Sequence, residues 1–149
     1  MRIALRVQLK WIDGARADVT LHAPRGLSLS TDYLYTADII SVRWFDRKTG
    51  QEVGSAAIPD SLFLNDVFAT PDGTVYVTDS GLPGRTEGAP PNPVDAVYRV
   101  SPGGEVEQIA QGQDLHRPDG IWLDGAQVWI VAFGSAELYR IENGMKTDS

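Results

Sequence analysis

A segment that recurs three times, short runs of β-forming residues, and the absence of any sustained helical spacing predict an all-β fold. The specific expectation is a β-propeller of four-stranded antiparallel blades, with about three blades in this chain. The first copy of the repeat reads Gly26-Leu-Ser-Leu-Ser30, Leu34-Tyr-Thr-Ala-Asp38 and Val42-Arg-Trp-Phe45. The second reads Asp66-Val-Phe-Ala-Thr70, Val75-Tyr-Val-Thr-Asp79 and Val97-Tyr-Arg-Val100. The third reads Gly120-Ile-Trp-Leu-Asp124, Val128-Trp-Ile-Val-Ala132 and Leu138-Tyr-Arg-Ile141. The copies start 40 and 54 residues apart, and the longer interval holds one insertion. No stretch keeps apolar residues at helical spacing for more than two turns. A β-sandwich could match strand lengths, but the repeat also preserves residue type.

Each element follows from local chemistry. Residues 3–11 are apolar at every odd position, the pattern of a half-buried strand, and occupy the place of a fourth strand from an earlier blade. The first blade spans 24–60, with Thr49-Gly50 as a turn and Glu52–Ile58 as its fourth strand. The second spans 64–112, with turns at Pro71-Asp-Gly73 and Ser101-Pro-Gly-Gly104 and a fourth strand at Glu105–Ala110. The third spans 118–142, turns at Asp124-Gly125, and is expected to stop after its third strand. All these runs belong to one domain of 149 residues.

Twenty acidic against thirteen basic side chains give a net charge of −7, which supplies no basic face for a nucleic acid. The longest apolar runs are too short to span a bilayer as a helix, so no membrane partner is expected. Residues 1–15 lack the continuous apolar core of a secretion signal, which leaves a soluble, cytoplasmic protein as the default. The absence of cysteine excludes disulfides, thiolate metal sites and cysteine nucleophiles. There is no Gly-x-Ser-x-Gly elbow, phosphate-binding glycine loop or His-Glu-x-x-His.

In a propeller, the loops leading into each first strand converge on one mouth of the central channel. Arg25, Asn65 and Asp119 hold the equivalent position there, one residue before the Gly26/Asp66/Gly120 column. Asn65 and Asp119 offer oxygen ligands suited to a hard cation such as calcium, although turns favour the same residue types. The insertion Gly81–Val94 joins strands two and three of the second blade and should overhang this mouth. Arg85 and Glu87 are its only charged members and could touch a ligand. Asp38 and Asp79 end equivalent second strands, either lining the channel or capping the turn. His22 and His116 stand four residues before Gly26 and Gly120 and are expected to hydrogen-bond loop backbone. Arg99 and Arg140 should be solvated.

The run from Phe63 to Ser80, with Arg117-Pro-Asp-Gly-Ile121, resembles the senescence-marker-protein/gluconolactonase family of regucalcin-like six-bladed propellers. The likeness covers about Pro24 to Glu142 and implies half of a six-bladed ring. In that family, Asn-Asp-Gly and later Asn-Gly or Pro-Asp-Gly segments hold a divalent metal; Asn65 and Asp119 match two of the usual four ligands. Three departures stand out. Val67 replaces the glycine after Asn-Asp, Phe63 replaces the substrate-binding arginine, and the early glutamate ligand and last blades have no counterpart.

The resemblance implies a divalent-metal-dependent lactone or ester hydrolase acting on a small-molecule substrate. Asn65 and Asp119 would hold calcium or another divalent ion, Asp119 would take a proton from water, and Arg25, Arg85 and Glu87 would contact substrate. The alternative is a non-catalytic segment serving as a ligand- or protein-binding scaffold. Three blades cannot close a ring, which leaves two expectations: a head-to-tail homodimer, with each chain's residues 3–11 completing the other's third blade, or a chain that is a piece of a longer propeller. That pairing would bring two copies of Asn65 and Asp119 to one mouth.

Overall fold

Runs rich in Val, Ile, Tyr and Trp, divided by turns too tight for a crossover, pair with their immediate neighbours as antiparallel meanders. A computed structural model describes residues 11–82 and 95–147 and places them in three four-stranded sheets. The first holds β1 (Pro24–Leu29), β2 (Tyr33–Asp38), β3 (Ser41–Asp46) and β4 (Glu52–Ala57) in chain order. The second holds β5 (Leu64–Ala69), β6 (Val75–Asp79), β7 (Ala96–Val100) and β8 (Val106–Gln111). The third holds β9 (Pro118–Asp124), β10 (Gln127–Ala132), β11 (Glu137–Glu142) and β12 (Met145–Thr147). This is the expected set of propeller blades.

One difference lies at the end of the third blade, where β12 supplies a fourth strand in place of the expected stop. Asn143 and Gly144 both take positive φ, 51° and 79°, between the paired residues Glu142 and Met145. Asn-Gly suits that two-residue hairpin because both residues tolerate the left-handed region. The expected strand at residues 3–11 falls, except for Trp11, outside the described residues, as does the insertion's 83–94, which includes Arg85 and Glu87.

Two apolar layers join the blades. Tyr35, Ala37 and Val42 of the first pack against Val67, Val75 and Val77 of the second. Val97, Ala110 and Phe68 of the second pack against Ile121, Ile130 and Tyr139 of the third. Each full burial of a large aliphatic side chain contributes roughly 1.5–3 kcal/mol, so these layers hold the blades in sequence. The inner strands β1, β5 and β9 lie side by side as a consequence. No helix among the described residues is long and apolar enough to cross a membrane.

Candidate functional site

The same irregularity opens all three inner strands. Pro24 pairs with Asp38 and Leu27 with Thr36; Leu64 pairs with Asp79 and Val67 with Val77; Pro118 pairs with Ala132 and Ile121 with Ile130. In each case three steps on the inner strand face two on its neighbour, which is a β-bulge. A bulge breaks the ladder and re-aims side chains. The residues inside the bulges are Arg25-Gly26, Asn65-Asp66 and Asp119-Gly120. The sequence alignment therefore holds in register, and the three predicted positions occupy one end of adjacent inner strands.

Asp66 is the hub of this end, a residue the sequence reading passed over. Its Oδ2 accepts the Ile121 amide of the third blade at 3.1 Å, and Oδ1 accepts the Val67 amide at 2.9 Å. Toward the first blade, a Cβ built on Gly26 would lie 2.0 Å from Asp66 Oδ1 and 2.5 Å from its Cα. The glycine at 26 is thus required by the close approach of a neighbouring backbone. Burial pushes the Asp66 carboxyl up, the two amides oppose this, and the like charge of Asp119 adds to the rise. A lone Asp in a column otherwise made of glycine was the available signal.

Two hydroxyls tie the Asn65-Asp66 bulge to the Pro118-Asp119 start of β9. Asn65 Nδ2 donates to Ser80 Oγ at 3.0 Å, and Ser80 Oγ donates to the Pro118 carbonyl at 2.7 Å. Thr78 Oγ1 accepts the Asp66 amide at 3.0 Å and donates to the Asp119 carbonyl at 2.6 Å. Both hydroxyls are buried, so these bonds fix the second and third blades at the mouth. The amide of Asn65 is held by its nitrogen, which leaves Oδ1 without a hydrogen bond among the described residues. The Asp119 carboxylate likewise takes none. Arg25 reaches the same end from the first blade, its guanidinium 3.5 Å from the ring centroid of Phe63. That cation–π contact sets a positive charge over the side chain that stands where the resembled family has arginine.

Asp38 and Asp79 do not line the channel; they clamp the loops leading into the inner strands. Asp38 accepts the His22 and Ala23 amides at 2.9 and 2.7 Å and pairs with Arg43 at 2.7 Å. Burial would raise this carboxyl, but the Ala23 amide, Arg43 and His22 outweigh it and hold it low. Asp79 accepts the Leu62, Phe63 and Gly81 amides at 2.9, 2.9 and 3.0 Å. With no cation beside those amides among the described residues, burial wins and pushes it up. The third blade has Ala132 at this place, and Asp95 of the second blade substitutes, accepting the Arg117 amide at 2.6 Å. His116 and Arg117 there adopt φ of 53° and 59°, a strained lead-in for residues with a Cβ.

The histidine rings face carboxylates. His22 Nδ1 lies 3.1 Å from Asp38 Oδ2, and His116 Nδ1 lies 2.9 Å from Glu137 Oε2. The His22 amide also bonds Asp38, and the His116 carbonyl accepts the Gly134 amide at 3.0 Å. Arg99 is solvated and pairs with Glu107, whereas Arg140 is partly covered and stacks 5.4 Å from the Trp129 ring centroid.

The donor set at the mouth fits a hard cation in kind: an amide oxygen and two carboxylates, without sulfur or imidazole. A cation would also offset the like charges of Asp66 and Asp119. Among the described residues no group of three or more His, Cys, Asp or Glu side chains converges.

No known protein-family model matches the chain, and no curated protein matches it. Solved structures do. A gluconolactonase from Xanthomonas campestris shares 22% identity at a TM-score of 0.60, over 84% of this chain and 46% of that one. Virginiamycin B lyase from Staphylococcus aureus shares 14% at 0.64, over 84% and 40%. A chain of the nidogen/laminin complex shares 16% at 0.68, over 85% and 48%. The chain spans less than half the length of these structures, and what it shares with them is the β-propeller fold.

Proposed function

We propose that the mouth binds a hard divalent cation, calcium first among candidates, and hydrolyses a small lactone or ester. The observation that supports this most is the threefold bulge, which sets Asn65, Asp66 and Asp119 side by side with two oxygen groups left without hydrogen bonds among the described residues. Asn65 Oδ1 and the Asp119 carboxylate would hold the ion. When bound, the ion would supply Lewis-acid polarisation of the ester carbonyl and acidify water.

The protein's own groups divide the remaining work. Asp66 is a positioning residue, because both its oxygens are committed to backbone amides, and the Ile121 bond fixes the strand carrying Asp119. Asp119 takes the proton from the attacking water through whichever oxygen does not hold the ion. Arg25, steadied on Phe63, offers its guanidinium edge to substrate oxygens.

Hydrolysis of simple lactones and of nitrophenyl esters, with calcium and with chelator, tests the reading. Asn65→Ala and Asp119→Ala should each abolish metal-dependent turnover. Asp119→Asn keeps an oxygen ligand but no base, and should lower kcat by roughly 100-fold or more while retaining part of the ion affinity. Turnover indifferent to chelator and to both alanine variants would refute the metal site. Ion or ligand binding without turnover would return the scaffold reading.

A further inference from the structure

The turn joining β5 to β6 lies at the far end of the strands from the mouth. Beside it, in the joint between the first and second blades, is a cavity of about 260 Å³. Tyr33 and Tyr35 of β2 and Trp44 of β3 line it from the first blade. The second blade contributes the buried Val75 and Val100, and Asp72 from the exposed turn. The two tyrosine rings stand at 85° with centroids 6.2 Å apart, and Tyr35 and Trp44 at 39° and 6.1 Å. Trp44 is seated against Gly54, its partner on β4, where a Cβ would fall 2.6–2.9 Å from three atoms of the indole. Glycine at that position leaves room for the ring.

The repeat shows what this place holds in the other blades. Tyr35 faces Trp44 across the β2–β3 ladder, as Tyr76 faces Arg99 in the second blade and Trp129 faces Arg140 in the third. In those two blades a cation of the chain stands opposite an aromatic residue, with Arg140 5.4 Å from the Trp129 ring centroid. Each arginine also pairs with a carboxylate, Arg99 with Glu107 and Arg140 with Glu142. The first blade has the rings and carboxylates but Trp44 in place of the arginine. Bonds from Thr70 and Thr74 hold the Asp72 carboxyl below its usual value, so it is charged at neutral pH. Burial pushes the Tyr35 phenol up, Ser30 opposes this, and Tyr33, Asp72 and Asp32 add to the rise. No cation among the described residues lines the cavity, and Arg47 of the adjacent turn is bonded to the Ser30 and Thr31 carbonyls.

We propose that this cavity binds a small organic cation carrying a quaternary ammonium group, the class that choline represents. Ring faces and nearby carboxylates attract the charge that arginine supplies in the other blades. A primary ammonium would bring three N–H donors in need of acceptors. The oxygens here are engaged: the Tyr35 hydroxyl with the Gly73 carbonyl, and Asp72 with Thr70 and Thr74. Methyl groups instead suit the apolar wall of Val75 and Val100.

Calorimetric titration of the full chain with choline tests this independently of the mouth. The companion probes are the neutral tert-butyl analogue of choline and ethanolamine. Choline should bind with a Kd of about 1 mM or tighter, and both companions roughly 10-fold more weakly or worse. Trp44→Leu and Tyr33→Leu, checked for folding by urea denaturation, should each weaken choline roughly 10-fold. Asp72→Asn keeps acceptors for the turn but removes the charge, and should weaken it by a smaller factor. Chelator and Asn65→Ala should leave choline binding unchanged. Equal affinity for choline and its neutral analogue, a comparison that needs no variant, would overturn the proposal. So would the lack of saturable choline binding up to about 100 mM, or binding indifferent to both leucine variants.

Discussion

Two glycines in one column give opposite expectations for the same substitution. In Gly26→Ala the new Cβ falls 2.0 Å from Asp66 Oδ1, 2.8 Å from its Cγ and 2.5 Å from its Cα. The side-chain atoms are pinned by the Ile121 amide and the Cα belongs to a strand in a packed sheet, so neither yields cheaply. Overpacking of this kind costs about 1–3 kcal/mol, and the backbone clash puts Gly26→Ala at the upper end. For a domain of this size that lowers Tm by roughly 6–12 °C. In Gly120→Ala the nearest atoms lie 3.7–4.0 Å away, which is ordinary contact, and φ lies outside the left-handed region. That variant should be neutral, or gain about 0.4–1 kcal/mol from a stiffer unfolded chain. Adding Asp66→Gly to Gly26→Ala removes two of the three close contacts and should recover part of the loss. Urea denaturation followed by tryptophan fluorescence reads all three. Equal stabilities for Gly26→Ala and Gly120→Ala would refute the packing described for the mouth.

Other consequences follow from the same structure. Asp79→Ala strands three backbone amides and should cost about 3 kcal/mol or more by chemical denaturation; a loss below about 1 kcal/mol would contradict its role as a clamp. Burial pushes the Tyr98 phenol up to about 12. The folded state thus keeps a proton that the unfolded chain sheds near pH 10, and stability should fall as pH rises from about 10 to about 12. Tyr98→Phe should flatten that limb in an alkaline unfolding series. Calcium at about one hundred times its Kd should stabilise the protein by about 2.7 kcal/mol, and chelator should remove the gain. Calorimetry with Asn65→Ala should show no such gain.

The blades were legible because their signal is repeated: the Val/Tyr/Trp runs and the Asp-Gly and Pro-Asp-Gly turns recur in register, so three weak patterns reinforce one another. The column of Arg25, Asn65 and Asp119 was legible for the same reason, and the bulges give it a physical basis. The fourth strand of the last blade was missed although Asn143-Gly144 is a strong hairpin signal, because Met145–Thr147 is too short to show alternation. Asp66 was missed because its function depends on what faces it across two blades, which no local pattern records. The clamping of lead-in loops by Asp38 and Asp79 depends on partners some sixteen residues away, and the substitution of Asp95 for the missing carboxylate at Ala132 breaks the repeat altogether.

The claim that the mouth is a cation site is tested most directly by crystals soaked with a lanthanide in place of calcium and measured for anomalous scattering. The account predicts one strong peak at the bulged end of β5 and β9, within coordination distance of Asn65 Oδ1 and the Asp119 carboxylate, and its loss in Asp119→Ala crystals. Peaks only elsewhere on the acidic surface, with the mouth empty, would contradict it.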